Sequence, residues 1–514
     1  MAPVSSSPPH VVVVGGGPAG LTASYELCRL GVENTVLEKD SVVGGISRTA
    51  RYKGYHFDIG GHRFFTKVGV VDDFWHEVLP EEDFLTCSRL SRIYYNKKFF
   101  FYPLKAANAL FGLGIGNSIL IVLSYLRARF FPNRDERSFE DWVSNRFGQR
   151  LYNTFFKTYT EKVWGIPCDE IAADWAAQRI KGLSLTSAVK NAIFQQSTTQ
   201  QATEAGSKDA VIKTLIDQFE YPKQGPGMMW ETVRDRVKAQ GVDVAMHAEA
   251  DRLLVEDGRV VAVEANTPDG RRTFPGTEFI STMPIRELVH AISPAPPPKI
   301  LEAANKLKYR DFLTVALVVD DPDLFPDNWI YIHDPEVRVG RIQNFKNWSP
   351  HMVPDASKTC LGLEYFCNEG DDLWAMDDAA LVALGRTEVD RLGLAKASDV
   401  EDGAVVRMPK AYPVYDSEYK QALETLQAYF DSIPNLQLVG RNGMHRYNNQ
   451  DHSMLTAMLA VQNINGASYD LWKVNDDDNY HEEVHGGEAD VYTRELAQMN
   501  ATQPRVPRTV EEAA

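Results

Sequence analysis

Apolar and polar positions follow three successive rhythms along this chain. Val11, Val12, Val13 and Val14 form a run without polar interruption, a helical stretch from about Pro18 stops at Gly31, and Asn34 to Glu38 is again extended. A buried strand, a glycine-terminated helix and a second strand make one βαβ unit. From about Val68 to Phe194 the spacing turns helical with few strand signals, and Phe139, Trp142, Val143 and Phe147 fall on one face of a single helix. Gln195 to Lys208 is polar and aperiodic and reads as a surface connection. Beyond it, Arg252 to Val255, Val260 to Ala265, Phe279 to Thr282, Phe312 to Val319 and Trp329 to Ile332 have the composition of strands. Leu436 to Gly440 is a last short strand, and a helix from about Ser453 to Ile464 follows it.

The order predicts an α/β protein in which a Rossmann-like dinucleotide-binding domain is interrupted by other units. Residues 1–67, 209–270 and 431–475 are expected to build that domain. Residues 68–208 form a mainly helical substrate domain with its linker, and 271–430 a strand-rich antiparallel-sheet substrate domain. The tail, 476–514, is acidic and weakly periodic and is assigned no chemistry. At 514 residues the chain exceeds what a single core sustains, so a cofactor site between domains is feasible.

Composition narrows the class. With 44% hydrophobic and 24% charged residues the chain is globular. The net charge of −16 argues against nucleic-acid binding and means that any anionic ligand needs a local arginine clamp. The cysteines, Cys28, Cys87, Cys168, Cys360 and Cys367, include no C-x-x-C pair, which predicts free thiols, a reducing compartment and no bound metal. No basic n-region precedes the first strand, so a cytoplasmic protein is expected. Ala109 to Leu126 is apolar but broken by Gly112, Gly114, Gly116, Asn117 and Ser118, which predicts a buried helix pair joined by a turn and no membrane span. Homo-oligomerisation is left open.

Candidate chemistry begins at Gly15-Gly16-Gly17-Pro18-Ala19-Gly20, a G-x-G-x-x-G that follows a buried strand and opens a helix. Gly15, Gly17 and Gly20 allow the turn and let a pyrophosphate approach the helix N-terminus, and Glu38, ending the next strand, suits a ribose diol. Two further glycine pairs, Gly44-Gly45 before Ser47 and Gly60-Gly61 before His62, suit backbone lying against a flat ring and an extended diphosphate, which favours FAD over NAD. Gly440-Arg441, with Gln450 and an expected N-cap at Ser453, would serve the ribityl-diphosphate portion.

The segment Tyr159-Thr160-Glu161-Lys162-Val163-Trp164-Gly165-Ile166-Pro167, with Arg179 downstream, resembles a block of the UDP-galactopyranose mutases, and the matches run on as for the fungal-type enzymes. They include Ser281-Thr282-Met283, Trp329-Ile330-Tyr331, Arg341 with Asn347-Trp348-Ser349-Pro350, Tyr412-Pro413, Gly440-Arg441, Arg446-Tyr447 and Asn449 to Ser453, so the resemblance spans about residues 10 to 466. It implies a mutase that interconverts an NDP-hexopyranose, with UDP-galactopyranose the best single substrate, and its furanose. In that family the N5 of reduced FAD forms an adduct with the sugar, and NAD(P)H serves as reductant. Carried over residue by residue, Arg179 and Arg341 clamp the diphosphate, and His62 lies beside the flavin. Tyr102, Trp164, Tyr331, Tyr412, Tyr447 and Asn449 line the nucleotide-sugar site.

The chain departs from the family pattern at Tyr102-Pro103-Leu104-Lys105, where the fungal-type enzymes carry Phe and Gln after Tyr-Pro to hold the uracil, and at Arg63, which adds a charge beside His62. Two alternatives remain open: an oxidase or desaturase of the amine-oxidase type, which has no need of a diphosphate clamp, and a dissociation-inhibitor-like binding protein, disfavoured by the intact Gly15, Gly17, Gly20 and Glu38.

Overall fold

The computed structural model of the protein describes residues 9–102, 104, 106–173, 175 and 218–475. Arg179, the 195–208 connection and the tail from 476 lie outside the described residues.

The uninterrupted valines become the central strand of a five-stranded parallel sheet, ordered Leu436–Leu438, Glu278–Ser281, His10–Val14, Glu33–Leu37, Asp243–Ala245. Their lack of alternation has a direct cause. Val11 and Val13 face one core, with Leu21 of the following helix, while Val12 and Val14 face a second, with Ile285 and Leu288, so both faces of the strand are covered. The strand Glu278–Ser281, which the apolar run 279–282 placed in the strand-rich region, belongs to this parallel sheet. Helix Pro18–Arg29 starts with proline in its first turn, and Gly31 follows its end in the left-handed region at φ 67°. It packs along Gln450–Ile464, a helix buried on nearly every side.

Helix Gly69–Val78 shares this core, with Phe74 edge-on to Tyr25 at 4.9 Å between ring centroids. Strands then appear where the sequence suggested helix. Ser91–Tyr95 and Lys98–Phe101 form a hairpin whose turn residues Asn96 and Lys97 both have positive φ. Aromatic residues stand on both faces of these strands, which hides the two-residue period. The hairpin edges a seven-stranded sheet ordered Val400–Val414, Lys308–Val319, Thr359–Cys367, Arg341–Asn344, Trp329–Ile332, Ser91–Tyr95, Lys98–Phe101. This sheet is antiparallel except where Trp329–Ile332 meets Ser91–Tyr95.

The helical block is built as its spacing predicts around Phe139–Phe147, where Phe139, Trp142, Val143 and Phe147 are all buried and Ser138 with Asp141 forms a capping box. The apolar stretch before it is a helix pair, Ala106–Leu113 and Ile115–Phe130, turning at Gly114. The second helix is not buried as expected: Ile121 is its only buried residue. No helix among the described residues is long and apolar enough to cross a membrane.

Candidate functional site

Sequence-distant backbone converges on one cavity. Gly60, Gly61, His62 and Arg63 follow the strand Tyr55–Asp58; Arg341 and Tyr412 come from the seven-stranded sheet; Arg441, Tyr447 and Asn449 to Asp451 come from the return to the parallel sheet.

The glycine-rich end is shaped by atoms that are missing. A Cβ on Gly20 would stand 1.8 Å from the Gly15 carbonyl oxygen, and one on Gly15, at φ 104°, would stand 2.0 Å from Thr282 Oγ1. Gly17 and Gly45 are in close contact, a Cβ on Gly45 lying 3.4 Å from the Gly17 Cα, so bare backbone of the two loops meets at the N-terminus of helix Pro18–Arg29. The Gly44 N–H donates to the Gly16 carbonyl at 2.8 Å and ties the two loops together. Glu38 accepts the Gly16 N–H at 2.7 Å and the Asp40 N–H at 2.8 Å. Burial raises its carboxyl above the usual range, and the two amides oppose that. Gly440, at φ 82°, lies against Ala19 and donates its N–H to Thr456.

His62 is committed at both ring nitrogens. Nε2 donates to the Ile59 carbonyl at 3.0 Å, which leaves Nδ1 to accept from the Ser47 hydroxyl at 3.3 Å. Burial above all, with the charges of Arg441 and Arg341 adding to it, pushes its pKa down to about 4, so the ring is uncharged at neutral pH.

Arg341 donates through Nε to Glu364 at 2.6 Å, and Gln343 donates to the other oxygen of the same carboxylate at 2.5 Å. Burial opposes the guanidinium charge, and Glu364 more than compensates, holding it on. Tyr412 and Tyr447 stack at 5.6 Å with an interplanar angle of 15°, and Arg441 lies over both rings at 5.3 and 4.9 Å. Trp164 does not reach the cavity wall but meets these rings at 6.3 and 6.2 Å. Tyr331 and Tyr102 also lie outside the cavity lining, 4.9 Å apart, and Tyr331 stands edge-on to Tyr159.

The segment 159–165 divides its labour. Lys162 donates to the carbonyls of Ile332, Asp334, Val337 and Val339 at 2.9 to 3.3 Å, fixing the loop that leads into Arg341. Glu161 accepts the Cys168 N–H. Gly165 ends the helix in the left-handed region, where a Cβ would stand 2.5 Å from the Arg310 guanidinium, which itself binds the last helical carbonyls. Tyr159 and Trp164 are the members that meet the aromatic cluster.

Ser453 is not the N-cap. The helix begins at Gln450 with Asn449 in the cap position, and Ser453 is buried in the first turn. Arg179 lies outside the described residues. Glu364 and Gln343 were missed because no local motif contains them. Asp451, which lies within the Asn449 to Ser453 motif, is buried, accepts from Thr66 and lines the cavity.

The residues present fit a flavin dinucleotide. The bare glycine backbone at the N-terminus of helix Pro18–Arg29 suits a diphosphate, and the buried acceptors Gln343 Oε1 and Gln450 Oε1 have no partner among the described residues. Fold and site together define a flavin-binding enzyme class. Residues 18–465 match the family of flavin containing amine oxidoreductases, and the chain belongs to that family. Its structure is similar to that of reduced UDP-galactopyranose mutase, with a TM-score of 0.77 at 20% identity over 93% of this chain and 100% of the other. A second similar structure is a protoporphyrinogen oxidase-like protein of Exiguobacterium sp. 255-15, with a TM-score of 0.65 at 15% identity over 89% and 99%. At these identities the likeness speaks for the fold. In sequence the chain is 45% identical over 71 residues to the L-amino acid oxidase Cdc18 of Crotalus durissus cumanensis, a match covering 14% of each chain. It is 31% identical over 93 residues to a 4,4'-diapophytoene desaturase of Methylomonas sp, covering 17% of this chain and 18% of that one.

Proposed function

We propose that this protein is a flavin-dependent mutase interconverting an NDP-hexopyranose, UDP-galactopyranose first, and its furanose. The observation that carries the reading is Arg341, a guanidinium kept charged by Glu364 at the wall of a cavity that also holds Arg441. A sugar diphosphate approaching a chain of net charge −16 needs such fixed local cations, and a held guanidinium fork meets phosphate oxygens with little reorganisation.

Gly15, Gly17, Gly20, Glu38, Gly44, Gly45, Ser47, Gly61, His62, Gly440, Arg441, Gln450 and Ser453 are proposed to hold FAD. Tyr412, Tyr447 and Asn449, which line the cavity, are proposed to hold the substrate, with Trp164 supporting the two tyrosines, Tyr102 and Tyr331 extending the aromatic surface outside the lining, and Arg179 completing the diphosphate clamp. Bound FAD in its reduced form supplies the electron pair that the anomeric carbon takes up, and NAD(P)H is proposed as its reductant. The chain's own contribution is electrostatic. Arg341 stabilises the charge that grows on the departing diphosphate, and the tyrosine stack shields the site from water. His62, with both nitrogens engaged, orients the wall and adds no charge to it. The bond between the anomeric carbon and the diphosphate breaks and re-forms, and the ring oxygen on that carbon is exchanged for another hydroxyl oxygen of the same sugar, so the pyranose becomes a furanose with no net oxidation.

An oxidase is the second reading, favoured by the short matches to L-amino acid oxidases. The test is to incubate dithionite-reduced protein with UDP-galactopyranose, then UDP-galactofuranose, and to follow both by chromatography beside an oxidised control. Interconversion restricted to the reduced protein supports the mutase. A yellow protein that leaves both sugars untouched and releases peroxide from L-amino acids overturns it in favour of the oxidase.

A further inference from the structure

Helix Ile115–Phe130 is laid on the molecule by one side only. Ile121 is buried, the Ser124 hydroxyl accepts the Arg150 N–H, and Asn117 accepts from the Arg150 guanidinium. The opposite face carries Ile119, Val122, Leu123, Leu126 and Phe130, spaced as one helical stripe, and Phe131 continues it. Phe130 is 73% exposed and Phe131 81%. Apart from Phe101, every exposed large hydrophobic side chain among the described residues lies between 115 and 131. Solvation leaves such residues scattered on ordinary surfaces, so their gathering on one helix marks a contact face.

Charge says what covers it. In a chain with 70 acidic residues, none occurs from Phe84 to Arg134. Exposed Lys97 and Lys98 stand near the first helix of the pair, whose Gly112 carbonyl accepts from Lys98. Arg127, Arg129 and Arg134, all exposed, flank the phenylalanines and make no ion pair among the described residues. An apolar stripe edged by arginine and lysine on an otherwise acidic protein complements an anionic lipid surface, where the apolar side chains enter the acyl boundary and the cations meet phosphate headgroups. A second copy fits less well, because a two-fold contact brings basic patch to basic patch between two acidic chains.

We propose that helix Ile115–Phe130 docks the protein in the plane of an anionic bilayer, without spanning it. The test is sedimentation of the full-length, flavin-loaded protein with phosphatidylcholine vesicles, with and without phosphatidylglycerol. Binding is expected to need phosphatidylglycerol and to weaken in about 0.5 M salt. Leu123→Glu with Leu126→Glu should abolish binding while leaving the thermal midpoint and flavin absorbance unchanged. Arg127→Gln with Arg129→Gln should weaken binding about 25-fold, roughly fivefold for each cation. Should the glutamate variant fold poorly, Phe131→Ser, beyond the helix end, reads the same face and should weaken binding at least fivefold. No sedimentation with anionic vesicles, or undiminished binding by these variants, overturns the proposal. So does a concentration-dependent dimer that Leu123→Glu dissociates, which would assign the face to a second copy.

Discussion

Glu364 holds Arg341 across two neighbouring strands: the pair faces each other in antiparallel register, with Arg341 Nε donating to the carboxylate at 2.6 Å. The strand register therefore sets the arginine's position, and the acid sets its orientation. Glu364→Gln leaves a partly buried guanidinium without its counter-charge and should lower unfolding stability by about 2 kcal/mol, measured by urea denaturation.

Arg341→Lys keeps the charge but loses the fork. Turnover of the nucleotide sugar, kcat/KM, is expected to fall about 100-fold, with flavin absorbance retained, because a point charge cannot engage Glu364 and a phosphate together in the same geometry.

Gly45→Ala puts a side chain on a residue at φ 54°, a left-handed backbone that disfavours it, and sets the methyl group 3.4 Å from the Gly17 Cα where the two glycine loops meet. Its expected outcome is a folded protein that binds FAD at least tenfold more weakly, read by visible absorbance and flavin titration.

His62 has a folded pKa near 4, below the ordinary 6.5. The unfolded chain therefore binds the extra proton first, and the stability from an uncharged His62 is whole above pH 6.5 and is lost as pH falls toward 4. Buried His445, also near 4, shares the sign. Between pH 7 and 4.5 the wild-type protein should lose more stability than His62→Gln, by on the order of 2 kcal/mol, measured by urea unfolding at each pH.

Gly165→Ala tests the helix terminus of the 159–165 segment. Its Cβ would meet the Arg310 guanidinium at 2.5 Å on a backbone that disfavours side chains, so a loss of about 2 kcal/mol is expected from thermal unfolding.

Local features were legible in the chain itself. The four valines, the glycine turn and Glu38 lie within one βαβ unit, and short-range sterics and burial suffice to specify it. The stripe from Phe139 to Phe147 likewise announces its buried face. The N-cap of the last helix was misread because Asn449 and Ser453 both suit a helix start, and the backbone alone selects Asn449. The hairpin 91–101 was hidden by aromatic residues on both of its faces. The sequence by itself determined the dinucleotide-binding unit, the helical stripe and the family motifs, since each rests on residues a few positions apart. Only the tertiary structure decided that Arg341 meets Glu364, that Lys162 holds the loop before Arg341, and that Ile115–Phe130 shows its apolar face to the outside. Those depend on which distant elements share a wall, and apolar periodicity records that a face wants cover without naming what covers it.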